Sequence, residues 1–381
     1  MTTGPSAPTE IVLVGGGHTH VHVLAALARQ PGVTLTLVAR DLATPYSGML
    51  PGLVMGIYTR EEAHIDLARL AAATGARVLH GEAVGLDRAH KRVRLADGGT
   101  LPYGLVSFDV GITPELAPIR DAGMLGIAVK PIGAFLEKFD ALRTCCRAPD
   151  GPRRIAVVGG GAGGVELLLA VRARLLAEAD ETARAAFRFA LLTAEEVLPT
   201  HNARVRAAFR RMFGERDIAL HENCRVAALA RDTAVLEDGA RIDADAVLLS
   251  THAGAPAWFR DTSLALDGAG FLAVTPTLQV ENDPDVFAAG DCAALVETPR
   301  EKAGVYAVRA GPPLAQNLMR RARGEALRPW RPQPRHLSLI SAGGRYAVGS
   351  YGLLAFAGAW VWTLKDFIDR RWMRTYQQLE P

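Results

Sequence analysis

Two stretches of this chain follow one grammar. Ile11–His22 reads IVLVGGGHTHVH, and Ile155–Glu166 reads IAVVGGGAGGVE. In each, four apolar residues with the character of a buried strand run into a glycine turn and then into a helical pattern. That order suits a dinucleotide. The turn must be tight, a backbone without Cβ lets a pyrophosphate approach, and a helix N-terminus aims free N–H groups at its charge. In the second stretch Gly159, Gly161 and Gly164 fill all three places of G-x-G-x-x-G. In the first, Gly15 and Gly17 fill two, and His20 stands where the third glycine belongs, so it either tilts the helix or faces the ligand. Two such units in one chain predict an α/β fold built for dinucleotide chemistry.

Composition narrows the class. At 381 residues the chain has room for two or three domains. Its 38 glycines exceed ordinary usage, as many tight strand–helix turns require. A net charge of +3, with no basic block beside an aromatic platform, argues against nucleic acid as a partner. Cys145, Cys146, Cys224 and Cys292 show no C-x-x-C spacing, so neither zinc nor a disulfide framework is expected. Residues 1–10 have neither the basic start nor the apolar core of a signal peptide, and a reducing cytoplasm is the expected location. His18 and His22 stand at metal-ligand spacing, but no acidic or cysteine partner is near in sequence, so no metal is expected.

Val33–Ala39 reads as the second strand of the first unit, beyond which an acidic residue would bind ribose; Asp41 is the candidate. Thr44–Pro51 (TPYSGMLP) reads as a loop, either on the surface or lining a ligand. His64–Leu67 opens a helix, and strands at 77–80, 83–87, 91–95 and 101–107 read as a meander. In the second unit the helix Val165–Glu178 and the strand Phe187–Leu192 place Glu195 where a ribose-binding carboxylate belongs. Phe287–Asp291 (FAAGD) ends a strand in Gly290-Asp291, and a helix over Gly304–Arg323 is expected to break at Gly311-Pro312-Pro313. Leu337–Ser341, Tyr346–Ser350 and Leu353–Trp362 alternate like strands. Val361, Leu364, Ile368, Trp372 and Tyr376 share one helical face beside Lys365, Arg370, Arg371 and Arg374. That pattern suits either a terminal helix docked on the core or one lying in a membrane interface.

With both glycine motifs, Glu166 closing the second, and FAAGD in place, the chain resembles the two-dinucleotide-binding-domain flavoproteins of the pyridine nucleotide–disulfide oxidoreductase superfamily. The resemblance covers about residues 10–325. It implies two Rossmann-like domains, an NAD unit inserted in an FAD unit, plus a small C-terminal α+β domain. Residues 9–125 and 255–328 would hold FAD, 126–254 NAD(P)H, and 329–381 the C-terminal strands and amphipathic helix. It also implies that Gly15, Gly17, His18, Thr19, Asp41 and Pro45 line the FAD, while Asp291, after Gly290, hydrogen-bonds the flavin's ribityl–phosphate portion. Gly159, Gly161, Gly164 and Glu195 would hold the nicotinamide dinucleotide. The redox cysteine pair of the disulfide reductase branch would fall within residues 40–70, which contain no cysteine, so that thiol relay is excluded. The chain looks closer to type II NADH dehydrogenases and sulfide:quinone oxidoreductases. More narrowly, GGGHTHVHVL, TPYSGMLPG and EAHIDL resemble the flavoprotein module fused ahead of selenophosphate synthetase in some proteins.

The expected function is an FAD-dependent oxidoreductase that takes a hydride from NADH. NADPH is less favoured, because Glu195 would repel a 2′-phosphate and no arginine lies between Leu191 and Pro199. Glu166 is assigned positioning or proton handling at the cofactor junction, against a purely structural helix-start carboxylate. Lys302 is assigned stabilisation of the reduced flavin, against a solvated lysine beside Glu301. The acceptor is expected to be a quinone-like small molecule, met at the inner face of a membrane through the C-terminal helix, and a homodimer is compatible with the reading. Two alternatives stand beside it. One is a sulfide (or other chalcogen):quinone oxidoreductase, which needs two cysteines flanking the flavin. The other is a non-enzymatic flavin- or NADH-binding partner module linked to selenium metabolism.

Overall fold

The computed structural model describes residues 7–251 and 253–379. Strand β1 (Thr9–Val14) is buried from Ile11 onward, because it lies inside a sheet covered on both faces. Helix α1 (His18–Ala26) follows, and β2 (Val33–Ala39) pairs parallel with β1. Helix α2 (Leu67–Thr74) starts at Asp66, whose carboxylate accepts from the Arg69 N–H, and stops at Gly75. Strand β3 (Leu105–Phe108) pairs parallel with the other side of β1. Arg77–His80 extends this sheet beyond β2, and four strands between Leu272 and Leu295 extend it beyond β3 to a total of eight.

The second unit repeats the plan. Strand β4 (Arg154–Val158), helix α3 (Ala162–Glu178), strand β5 (Arg188–Leu192), helix α4 (Ala203–Glu215) and strand β6 (Ala246–Leu249) follow in order. The strands join Gly126–Ala128 and Ile218–His221 in a five-stranded parallel sheet. Hydrogen bonds put the two units in a common register. Gly15 N–H donates to the Val38 oxygen at 2.8 Å, and Gly159 N–H to the Leu192 oxygen at 2.8 Å. Asp109 N–H donates to Val14 and Ser250 N–H to Val158, each at 2.9 Å. Asp41 and Glu195 are therefore equivalent positions, and so are Asp109 and Ser250. The five-stranded parallel sheet and the eight-stranded sheet, parallel around β1 and antiparallel only at Gln279–Val280, match the α/β class expected from the glycine motifs.

Several local expectations are corrected. Residues 101–107 are not one strand: Thr100–Pro102 closes a small antiparallel meander with Ala83–Asp87 and Arg92–Leu95, whereas β3 enters the large sheet. Arg77–His80 also belongs to the large sheet rather than the meander. In the TPYSGMLP segment, Ala43–Pro45 pairs with His64–Asp66 and Leu50–Met55 is helical, so the segment is not a plain loop and His64 does not open a helix. Helix α5 (Gly304–Ala322) runs unbroken through Pro312 and Pro313. Its Ala310, Gly311, Leu314, Ala315 and Leu318 face is buried against α1, where a Cβ on Gly311 would come within 2.7 Å of His22. That burial offsets the cost of roughly 3 kcal/mol that an interior proline imposes. At the C-terminus, Ser338–Ser341, Ala347–Tyr351 and Leu354–Gly358 form an antiparallel sheet. Helix α6 (Ala359–Gln377) begins inside the third predicted strand. Among the described residues no helix is long and apolar enough to cross a membrane.

Candidate functional site

The second glycine turn meets each demand of a pyrophosphate cradle. Gly159, at φ +122°, has no room for a side chain, since a Cβ would sit 2.1 Å from the Ser250 oxygen. A Cβ on Gly164 would sit 1.9 Å from the Gly159 oxygen, so helix and strand close only around glycine. A Cβ on Gly161 would meet nothing within 4 Å, which leaves open space in front of the α3 N-terminus.

The first turn is built differently. A Cβ on Gly17 would fall 2.2 Å from the Asp109 carboxylate, and one on Gly290 would fall 2.2 Å from the same group. Asp109 Oδ2 accepts from the N–H groups of Thr19 at 2.9 Å and His20 at 3.2 Å, while its main-chain oxygen accepts from Gly17 at 3.1 Å. A buried carboxyl thus caps α1, where the second unit has only Ser250. Burial pushes Asp109 up to about 7, the two N–H groups pulling it down and Asp291 pushing it further up. Asp109 was absent from the residues picked out of the sequence. The repeat carried the signal, because aligning the two units sets Asp109 against Ser250.

His20 turns into the protein interior rather than toward a ligand. Its Nδ1 lies 2.7 Å from the Gly15 oxygen and its Nε2 2.8 Å from Ser107 Oγ. A carbonyl can only accept, so Nδ1 carries the proton and Nε2 accepts from the Ser107 hydroxyl. Burial pushes His20 down to about 4, which keeps the ring neutral. Thr19 Oγ1 donates to the Ala307 oxygen at 2.8 Å, and the His18 Nε2–H to the Pro45 oxygen at 3.2 Å. His22 Nδ1 meets the Tyr376 hydroxyl at 3.0 Å, so His18 and His22 engage different partners.

The candidate carboxylates and the lysine divide. Asp41 is exposed and paired with Arg40 at 3.0 Å, and Glu195 is exposed at the loop after β5. Asp291 follows Gly290 in a single 3-10 turn beside Asp109. Lys302 is not a freely solvated lysine. Its ammonium donates to the Ala293 oxygen at 2.6 Å, stands 3.8 Å from the Phe271 ring centre, and is pushed down by burial against the pull of Cys292 and Asp291.

Glu166 lies on the second turn of α3, and its Oε1 accepts from the Ser341 N–H at 2.7 Å. Lys365 of α6 donates to Asp369 at 2.7 Å and to the Gly48 oxygen at 2.6 Å. Burial pushes Glu166 up to about 7 while Lys365 pulls it down; burial opposes the Lys365 charge, but Asp369 and Glu166 hold it above the ordinary value. Three enclosed charges therefore meet where α3, the TPYSGM segment and α6 converge. Tyr46 stacks on Trp372 at 4.5 Å, and His18 sits edge-on to both rings. The sequence pointed to Glu166 alone of the three, since Lys365 was read as a basic flank and Asp369 was passed over.

Helix α6 has two unlike faces. Val361, Trp362, Met373, Tyr376 and Asp369 are buried. Arg370 is tied to Glu62 at 2.7 Å and Asp366 at 2.9 Å, so neither it nor Lys365 is the free cation the sequence suggested. Trp360, Phe367 and Ile368 face outward with Arg371 and Arg374, and Leu353 and Leu354 are exposed at the tip of the hairpin. Of the predicted apolar face, Val361 and Tyr376 turn inward and Ile368 outward. Cys145 is exposed and Cys146 buried at the end of the helix over Ile132–Cys145. Cys292 is buried, its thiol meets the oxygens of Ala289 and Phe108, and burial pushes it up to about 12.

Comparison with known proteins bears on the fold and the family. The NADH dehydrogenase-like protein YutJ of Bacillus subtilis (strain 168) is 22% identical over 357 residues, spanning 91% of this chain and 92% of that protein. The sulfide:quinone oxidoreductase of Aquifex aeolicus superposes with a TM-score of 0.81 at 16% identity, covering 98% of this chain and 92% of the other. NDH2 of Plasmodium falciparum, solved with NADH, gives 0.75 at 14% identity, covering 98% and 99%. At such identities the structures speak to the fold alone. The pyridine nucleotide-disulphide oxidoreductase family matches over residues 9–322, and the chain belongs to that family of flavin-dependent NAD(P)H oxidoreductases.

Proposed function

We propose that this protein oxidises NADH through bound FAD and delivers the electrons to a quinone-like acceptor drawn from a membrane surface. The balance is NADH + H⁺ + quinone → NAD⁺ + hydroquinone. Gly15, Gly17, His18, Gly290 and Asp291 would hold FAD in the first unit, with Pro45 fixing His18 and Asp41 at the ribose end. Thr19, expected among these residues, is buried with its N–H and hydroxyl taken by Asp109 and Ala307, and closes the turn instead. Gly159, Gly161, Gly164 and Glu195 hold NADH in the second, where the carboxylate favours a ribose hydroxyl over a 2′-phosphate. Bound FAD supplies two-electron acceptance from the nicotinamide and return of electrons to the acceptor. Glu166, near neutrality in its pKa and close to Lys365, exchanges the proton that quinone reduction consumes. Lys302, held beside Asp291, adds positive potential at that end of the site.

The observation that carries the acceptor is the outward surface of the C-terminal region. On α6, Trp360 is 58% and Phe367 60% exposed on one face with Arg371 and Arg374, and at the hairpin tip Leu353 is 82% and Leu354 59% exposed. Exposed aromatic residues with basic neighbours on one helix face suit a lipid interface. Sulfide oxidation is disfavoured by the thiols: Cys292 is buried and strongly held protonated, and Cys145 and Cys146 lie on the second unit's first helix. Steady-state NADH oxidation with matched short-tailed and long-tailed quinones, with and without anionic vesicles, tests the reading. Vesicles should raise the long-tailed rate several-fold and leave the short-tailed rate unchanged. NADH that reduces the flavin while no quinone accelerates turnover would overturn the acceptor.

A further inference from the structure

The loop that ends β5 carries two adjacent carboxylates with different commitments. Glu195 forms no ion pair among the described residues. Glu196 Oε2 lies 3.2 Å from Arg206 Nε and 3.0 Å from Arg210 Nη2. Arg210 is also gripped by Glu222 at 2.7 Å. Arg206 Nε is enclosed and has no aligned acceptor, so Glu196 holds it by charge and leaves its hydrogen unspent. The two arginines are one turn apart on α4, which starts directly after the loop at its Asn202 cap. The loop itself is pinned over the glycine turn, where the Leu198 N–H donates to the Gly160 oxygen at 2.7 Å and Thr193 packs against Gly160. On the reading that this unit takes the nicotinamide nucleotide, both guanidiniums stand beside the adenosine ribose.

We propose that Glu196 sets the choice between NADH and NADPH by keeping Arg206 and Arg210 engaged, and that these two arginines form a latent clamp for a 2′-phosphate. The absence of an arginine in the loop therefore does not explain the preference, because the cations come from the following helix. Glu196 and Glu222 engage the two guanidiniums and Glu195, next in the loop, adds a third carboxylate, an excess of negative charge that a 2′-hydroxyl tolerates and a 2′-phosphate does not. Glu196→Gln balances those charges and frees Arg206 to make the charge-assisted contacts that guanidinium and phosphate geometry favour. Glu196 is half exposed, so the substitution does not threaten the fold.

Calorimetric titration of the flavin-loaded protein with ADP-ribose and with 2′-phospho-ADP-ribose tests this without any turnover. The native protein should bind ADP-ribose and bind the phosphorylated form more weakly. Glu196→Gln should bind the phosphorylated form about tenfold tighter than the native protein does, with ADP-ribose unchanged within about twofold. Adding Arg206→Gln should remove that gain and leave ADP-ribose binding intact. If ADP-ribose binds normally and Glu196→Gln does not tighten the phosphorylated form, the clamp is wrong and the nucleotide site stands. A gain that survives Arg206→Gln also overturns the clamp. A protein that binds neither ligand overturns the nucleotide site along with it.

Discussion

His20 fills the place of a glycine by making two hydrogen bonds that a glycine cannot make. His20→Gly restores the motif yet leaves the buried Ser107 hydroxyl without its partner and opens a void under α1. Chemical denaturation should show a loss of about 2–4 kcal/mol, and an unchanged or raised midpoint would contradict this account of the turn. Asp109 makes a second residue-scale prediction, through pH. Its folded pKa of about 7 lies above the ordinary 3.8, so between those values the folded protein keeps a proton that the unfolded chain has released. This carboxyl therefore costs stability as pH rises through that window. In flavin-free Asp109→Asn, the unfolding free energy relative to the native protein should climb by up to about 1.4 kcal/mol per pH unit from pH 4 to 7 and then level off. His18 and His20, pushed down to about 4, slope the opposite way below pH 6.5 in both proteins, so they drop out of the difference. A flat difference would show that Asp109 titrates normally. Gly15, Gly159 and Gly164 were legible because each is demanded by a close backbone; His20's partner Ser107 was not, because it lies far along the chain.

At the scale of elements, α6 shows what periodicity can and cannot recover. The hairpin over Ala347–Gly358 was readable from alternation. The helix start was not: Trp360, Val361 and Trp362 look like strand residues, although Gly358 ends the strand and the apolar residues divide between the two sides of a helix. The inward side was misassigned for a physical reason. Lys365 was read as a basic flank and Asp369 was passed over, but the two pair at i, i+4, and their mutual charge and Glu166 let them be buried. Asp369→Ala leaves the Lys365 ammonium enclosed with one carboxylate fewer, and should cost about 3 kcal/mol by chemical denaturation. A loss under about 1 kcal/mol would mean that the helix is held by Trp362, Met373 and Tyr376 alone. The unbroken α5 teaches the same lesson, since packing on α1 overrides the local penalty of Pro312 and Pro313.

For the whole molecule, two sheets whose central strands run parallel and carry matched glycine turns follow from the repeat, while the convergence of α3, the TPYSGM segment and α6 could not be read from it. Residues distant in sequence meet there, and spacing carries no information about them. The outward face of α6 and the hairpin tip predict that the protein sediments with anionic vesicles and that Leu353→Ser, Leu354→Ser and Phe367→Ser together reduce binding about tenfold or more. Equal sedimentation by both proteins would place the contact elsewhere. The central claim is that electrons pass from NADH through FAD to a quinone, and anaerobic stopped-flow spectroscopy of the flavin-loaded protein tests it most directly. The account predicts rapid bleaching of the flavin by NADH, slower bleaching by NADPH, and recovery of colour when quinone is mixed in. A flavin that NADH does not bleach, or a reduced flavin that quinone leaves reduced, would contradict it.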